Sequence, residues 1–150
     1  FLNDPQKECV CTPFQVQKYK RKISGPLLDR IDLHVEVPRV QYEKLASESV
    51  AEASNKIRER VESARKIQRE RFKNFGFATN SEMRLKDIKL FCRLDEKCQE
   101  LIKTAVYKYN LSARGYHRVL KLARTIADLS ASENIAPDHI NEALQYRPQN

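Results

Sequence analysis

Two periods of apolar and polar residues run along this chain, and they change over near residue 38. Residues 31, 33, 35 and 37 are apolar and 32, 34 and 36 are polar, the alternation of a half-buried strand over Ile31–Val37 that Pro38 ends. Upstream, Thr12-Pro13 starts a helix that runs to about Ile23, where Ser24-Gly25-Pro26 stops it, and residues 1–12 read as loop. Everything after Pro38 carries the helical period. From about Ser49 to Phe75, an apolar stripe of Val50, Ala53, Ile57, Val61, Ala64 and Ile67 lies opposite a charged face. A short helix is predicted around Leu85–Phe91. Another covers Asp95–Tyr109, with Leu101, Ile102, Ala105 and Val106 as its buried side. Ser112 caps a helix to about Leu129 with the stripe Val119, Leu120, Ala123, Ile126 and Ala127, and Pro137 opens a last helix over Asp138–Tyr146.

The expected fold is therefore mainly α, with a domain boundary near Pro38–Glu43 that divides the chain into residues 1–40 and 41–150. A single strand cannot satisfy its backbone groups. With no second strand legible, its sheet is expected upstream, in a longer protein. The start at Phe1, without an initiator methionine, carries the same expectation.

Composition sharpens this only in places. Three glycines in 150 residues speak against an all-β sandwich, and 28 Lys and Arg against 20 acids give a net charge of +8. The excess is spread along the chain and leans toward polyanionic partners. No apolar run approaches the roughly 20 residues of a membrane span. Four cysteines at 9, 11, 92 and 98, with no signal peptide ahead of them, fit a reduced, cytoplasmic protein with no membrane partner.

Two arginine positions carry candidate chemistry. Arg30 stands at the entrance of the predicted strand, just after a rigid Gly-Pro turn, where a planar guanidinium can reach a phosphate on a neighbouring molecule. From spacing alone, a surface pair with Asp29 or Asp32 is the more frequent outcome. Arg114 and Arg118 lie four residues apart at the start of the Ser112 helix and so share a face. Cations there oppose the helix dipole, and the combined positive end suits an anion. Gly115 beside them costs roughly 1 kcal/mol relative to alanine, which hints at close approach by something.

The stretches SGPLLDRIDLHVEVPRV (24–40) and LSARGYHRVLKLARTIADL (111–129), in this order, carry a resemblance. The chain resembles the magnesium-chelatase-like AAA+ ATPases, in their ComM/YifB branch, over nearly its whole length, as a C-terminal fragment. The resemblance implies a helical lid over 41–150, preceded by the last helix and strand of a truncated α/β ATPase core. Arg30 then corresponds to the arginine finger, contacting ATP in the adjacent subunit. Arg114 corresponds to the sensor-2 arginine, contacting ATP in its own subunit, with Arg118 a weaker candidate for the same surface. ATP and Mg2+ are the implied cofactors of the full-length protein. Walker A, Walker B and sensor 1 are implied upstream, and this chain has no GxxxxGK[ST], so alone it is expected to be inactive. The implied whole is a ring, a hexamer of identical subunits, that moves along DNA and drives branch migration. Insertion of metal into porphyrin, as in true magnesium chelatases, is the alternative within the superfamily. A free-standing basic helical DNA-binding module is the alternative outside it. The fragment itself is expected to be monomeric.

Cys9 and Cys11 form half of a metal-ligand pattern, since structural zinc takes four ligands. The resemblance implies a second Cys-x-Cys upstream that completes a zinc site in the full-length protein, and no zinc is expected in this fragment. Cys92 and Cys98 read as core thiols. Asp32, His34 and Glu36 share a strand face, more often a solvent face than a metal triad. His139 reads as a surface residue. Among the basic windows, Lys56–Lys73 reads mainly as a solvated face laced by pairs such as Glu62–Lys66 and Glu70–Arg71. Lys18, Lys20, Arg21 and Lys22, beside Tyr19, are the better candidates for nucleic-acid phosphates.

Overall fold

The computed structural model describes residues 7–28, 30–37, 40, 42 and 51–147. The chain divides into two units, one reaching to Ala51 and the other spanning Glu52–Arg147. Among the described residues there are seven α-helices, one 3-10 turn and no strand. The fold is mainly α.

In the first unit, helix α1 covers Pro13–Lys20. Thr12 caps it: the Thr12 Oγ1 accepts from the Gln15 N–H at 3.3 Å, while the Gln15 Oε1 accepts from the Thr12 N–H at 2.8 Å. A one-turn helix, α2 (Gly25–Leu28), follows the predicted stop, with the Ser24 hydroxyl accepting from the Leu27 N–H at 3.3 Å. The strand expected over Ile31–Val37 is not formed. Those residues belong to no helix or ladder, and the apolar side chains of Ile31, Leu33, Val35 and Val37 are exposed. Alternation describes a chain that could pair, and pairing needs a neighbouring backbone that the described residues do not bring. The predicted boundary near Pro38–Glu43 lies mostly outside the described residues, as does Val50.

The second unit holds α3 (Ser54–Phe72), a 3-10 turn (Asn80–Glu82), α4 (Leu85–Phe91), α5 (Glu96–Tyr109), α6 (Ala113–Leu129) and α7 (Pro137–Gln145). Helix α6 is central and packs against α7, α3, α4 and the 3-10 turn, while α5 packs on α7. Its predicted stripe is buried in full: Val119, Leu120, Ala123, Ile126 and Ala127 join Ile102, Ala105, Ile135, Ile140 and Ala143 in one core. Phe72, at 1% exposed, closes that core from α3, with Phe77 tilted against its ring at a centroid distance of 4.7 Å and Phe91 edge-on to it at 5.2 Å. Cys92 and Cys98 are core thiols, and burial pushes them up to about 12 and about 11.

Helix α3 corrects the predicted stripe. Its buried positions are Ala64, Gln68 and Phe72, whereas Ala53, Ile57 and Val61 are exposed. The residues do share one helical face, but the bundle covers only its C-terminal half. The predicted pairs on the opposite side also change. Glu62 meets Arg69 at 3.4 Å rather than Lys66, Glu70 meets Lys73, and Arg71 turns inward.

Arg71 enters a polar cluster that the sequence reading missed. Asp128, 2% exposed, accepts from both Arg71 η nitrogens, from Asn80 Nδ2 at 2.8 Å and from Arg124 Nε at 3.1 Å. Arg124 also donates to the Ser132 and Glu133 carbonyls at 2.6 and 2.7 Å. One carboxylate thus ties α3, the 3-10 turn, α6 and the loop after it. Burial alone drives its carboxyl pKa up. The hydrogen bonds of Arg71 and Asn80, with the charges of Arg71 and Arg124, outweigh that and hold it below the usual carboxylate value.

Candidate functional site

The arginines at the start of α6 are presented by a tight corner. Asn110 ends α5 in the left-handed conformation at φ 48°, which asparagine tolerates, and the Leu111 N–H returns to the Val106 carbonyl at 3.1 Å. Ser112 then caps α6, its Oγ accepting from the Gly115 N–H at 3.0 Å. Gly115 is buried, and a Cβ there would meet only Ser112 Oγ, at 3.4 Å, and Leu111, from 3.8 Å. The glycine therefore accommodates the cap closely, and no other group of the unit presses on it.

Arg114 occupies the first turn of α6 and is exposed, in a turn with no acidic residue. Arg118 is buried and partnered. The four-residue spacing puts the two on one face, but only Arg114 offers its guanidinium to solvent. On the adjoining face lies an open groove of about 440 Å³, lined by Lys103, Val106, Tyr107, Leu111, Ala113 and His117 among others. Tyr116 joins it to a second hollow of about 420 Å³ that reaches Gln99 and Leu94. Free helix N–H groups, an exposed guanidinium and a groove with aromatic and basic walls can together receive a phosphate-bearing ligand.

Arg30 follows α2 directly, its N–H donating to the Leu27 carbonyl at 3.0 Å, and its side chain is exposed. Among the described residues no carboxylate lies within ion-pair distance of it. Asp29 lies outside the described residues. Lys18, Lys20, Arg21 and Lys22 are all exposed at the end of α1, with Lys22 Nζ 5.6 Å from the Tyr19 ring centroid. Arg30 and the α1 cations belong to the first unit and Arg114 to the second, and each set is described within its own unit.

Cys9 is half-buried and Cys11 exposed, both as free thiols. A hydrogen bond from the Cys11 backbone holds Cys9 below the usual thiol value, and its bond with Cys9 raises Cys11. Two thiolates are half of what structural zinc requires, and no group of three potential ligands occurs among the described residues. The residues present do not by themselves fit zinc. Asp32 and Glu36 are exposed, and the His34 Nε2 is enclosed with no hydrogen-bond partner. His139 is no plain surface residue. Its Nδ1 accepts from the Ala136 N–H at 3.0 Å and so caps α7. No described helix is long and apolar enough to cross a membrane.

This helical unit coincides with a known module. The family model described as magnesium chelatase, subunit ChlI C-terminal, matches residues 51–147, and that of magnesium chelatase, subunit ChlI, matches residues 1–45. The chain belongs to the magnesium chelatase ChlI-like family. The family is of AAA+ ATPase type, with ATP and Mg2+ suggested for its full-length members. Competence protein ComM of Haemophilus influenzae is 40% identical over 137 residues, covering 91% of this chain and 26% of the relative. The Escherichia coli protein YifB is 36% identical over 138 residues, with 91% and 26% covered. An uncharacterized protein of Mycobacterium tuberculosis is 33% identical over 144 residues, with 96% and 28% covered. The chain thus spans about a quarter of the length of the curated relatives it matches.

Proposed function

We propose that this chain is the C-terminal, nucleotide-responding part of an ATP-driven ring motor that acts on DNA. In this reading Arg114 contacts the phosphates of ATP bound in its own subunit and draws the helical lid onto them. Arg30 reaches the γ-phosphate in the adjacent subunit, where a permanently charged planar group offsets the charge that develops on phosphoryl transfer. Arg118 is partnered and supports the turn that carries Arg114. Mg2+ accompanies the nucleotide, and its ligands belong to the remaining part of the longer protein, as do any cysteines that complete a zinc site with Cys9 and Cys11. The ring is a homo-hexamer working in the cytoplasm, and DNA contacts in this chain involve Lys18, Lys20, Arg21 and Lys22.

The observation that supports this best is the exposed Arg114 at the capped, acid-free N-terminus of α6, beside an open groove. The net charge of +8 and the similarity to a protein named for competence favour the DNA reading over insertion of metal into porphyrin.

ATP hydrolysis by the full-length protein tests it. Arg114→Ala should raise the KM for ATP, and Arg30→Ala should lower kcat by about 10³-fold or more, as for other trans-acting arginines. Mixing Arg30→Ala subunits into wild type should depress turnover more steeply than dilution does. Strict proportionality to the wild-type content would remove the trans role. A free-standing DNA-binding module makes the opposite forecast: reversal of the Lys20–Lys22 charges abolishes function, and both arginine variants are mild.

A further inference from the structure

Helix α3 carries seven Lys and Arg and three acids over Ser54–Phe72, and its ion pairs distribute them unevenly. Glu59 is engaged by Lys56 at 3.8 Å, and Glu52, just ahead of the helix, by both Arg60 η nitrogens at 2.9 and 3.0 Å. Arg71 is committed to Asp128. The remaining cations fall together. At 3.6 residues per turn, Arg58, Arg65, Lys66, Arg69 and the following Lys73 lie within an arc of about 100°. Glu62 is the one acid inside that arc, and Glu70, just outside it, holds Lys73 in an exposed pair. All five cations are exposed. Among the described residues, Arg58, Arg65 and Lys66 have no carboxylate within ion-pair distance. Arg65 lies close enough to Glu82 to favour its charged form. Glu62 holds Arg69 at 3.4 Å with both side chains more than half exposed, a pair worth at most about 1 kcal/mol that a competing anion can open.

We propose that this face of α3 binds the sugar–phosphate backbone of a nucleic acid. Arg58, Arg65 and Arg69 form a straight row about 16 Å long at 1.5 Å per residue, which matches a polymer of regularly spaced charges better than a single anion. Three of the five cations are guanidinium groups, whose forks bind phosphate oxygens two at a time. No aromatic side chain lies in the arc, and its one amide, Asn55, is turned back onto the helix, its Oδ1 accepting from the Lys56 N–H at 2.9 Å, so the contact is to backbone and is independent of base sequence. A lipid surface fits less well. Beside the arc only Ile57 and Val61 are uncovered, because the bundle occupies Ala64, Gln68 and Phe72, and two aliphatic residues make too narrow a face for insertion. The inference deepens the DNA part of the function proposed above by naming a second, separate contact, and it does not depend on the nucleotide part.

The test is binding of the 150-residue chain to a labelled mixed-sequence duplex of about 20 base pairs, from about 50 to 200 mM salt. Each released phosphate counterion contributes about 0.9 to the slope of log K against log salt. Arg58→Gln/Arg65→Gln/Arg69→Gln should therefore flatten that slope by about two to three and weaken binding at least tenfold at the low-salt end, with helix content unchanged. The charge-matched control, Lys86→Gln/Lys89→Gln/Lys97→Gln at exposed positions of α4 and α5, should change the slope by less. The inference is overturned if the α3 variant keeps the wild-type slope, if the control loses as much, or if the wild-type chain binds no duplex. It is also overturned if phosphatidylserine vesicles or polyglutamate bind as tightly at equal salt. ATP turnover by the full-length protein carrying the same α3 substitutions should remain, so loss of this contact is distinguishable from loss of the nucleotide reading.

Discussion

Asp128 is the residue whose surroundings say most about the helical unit. A carboxylate at 2% exposure is tolerable there only because two arginines and an asparagine satisfy it. Asp128→Asn leaves the buried Arg124 and the partly buried Arg71 without a counter-charge, and we expect a loss of about 3–5 kcal/mol by urea unfolding. The pH dependence has a definite sign. With the folded pKa below the unfolded value of about 3.9, the stabilisation is complete above pH ~4 and is lost as pH falls through the lower, folded value. Wild type should therefore show steep acid unfolding below pH ~4, and Asp128→Asn a flatter profile. Gly115 makes the opposite case. Its Cβ space meets an ordinary contact, and among the described residues no glycine has positive φ. Gly115→Ala should stabilise by up to about 1 kcal/mol, read as a higher Tm. If ATP binding to the full-length protein weakens at the same time, the ligand is what approaches the glycine.

At the scale of elements, α3 has two halves with different energetics. Phe72 lies among Phe75, Phe77 and Phe91, so Phe72→Ala should cost about 3–5 kcal/mol. Ile57 and Val61 are each 43% exposed, and Ile57→Ser with Val61→Ser should change stability by less than about 1 kcal/mol. Amide exchange should follow the same division, fast over Ser54–Val61 and slow over Ala64–Phe72. Uniform protection along the whole helix would contradict it. Helix α6 was legible from its residues because its stripe is wide and every stripe position is covered. The stripe of α3 was equally legible as a pattern, but periodicity says which residues share a face and not how far along that face a neighbour extends. The strand expected at Ile31–Val37 failed for a related reason: alternation is a property of one segment, whereas a ladder is a property of two.

At the scale of the molecule, every member of the apolar core lies inside Glu52–Arg147. That stretch produced alone should fold cooperatively, with a Tm within a few degrees of the 150-residue chain. A broad, non-cooperative melt would mean that the first unit supplies something the core needs. The family match over 51–147 describes the same stretch, which was first recognisable from the wording of 111–129 and then from its helices.

Local determinants could be read without coordinates: the caps at Thr12 and Ser112, the start of the last helix at Pro137, the longer helices, the place of Arg114 in a first turn, and the burial of Cys92 and Cys98. Each depends on residues within a few positions of one another or on a periodicity internal to one helix. The Arg71–Asp128 bond spans 57 positions, and Asn80 to Asp128 spans 48. Those contacts, the burial of Arg118 beside an exposed Arg114, and the uncovered half of α3 were decided by packing. Whether a charged side chain turns inward depends on what a distant segment places opposite it, and no pattern within a single helix contains that information.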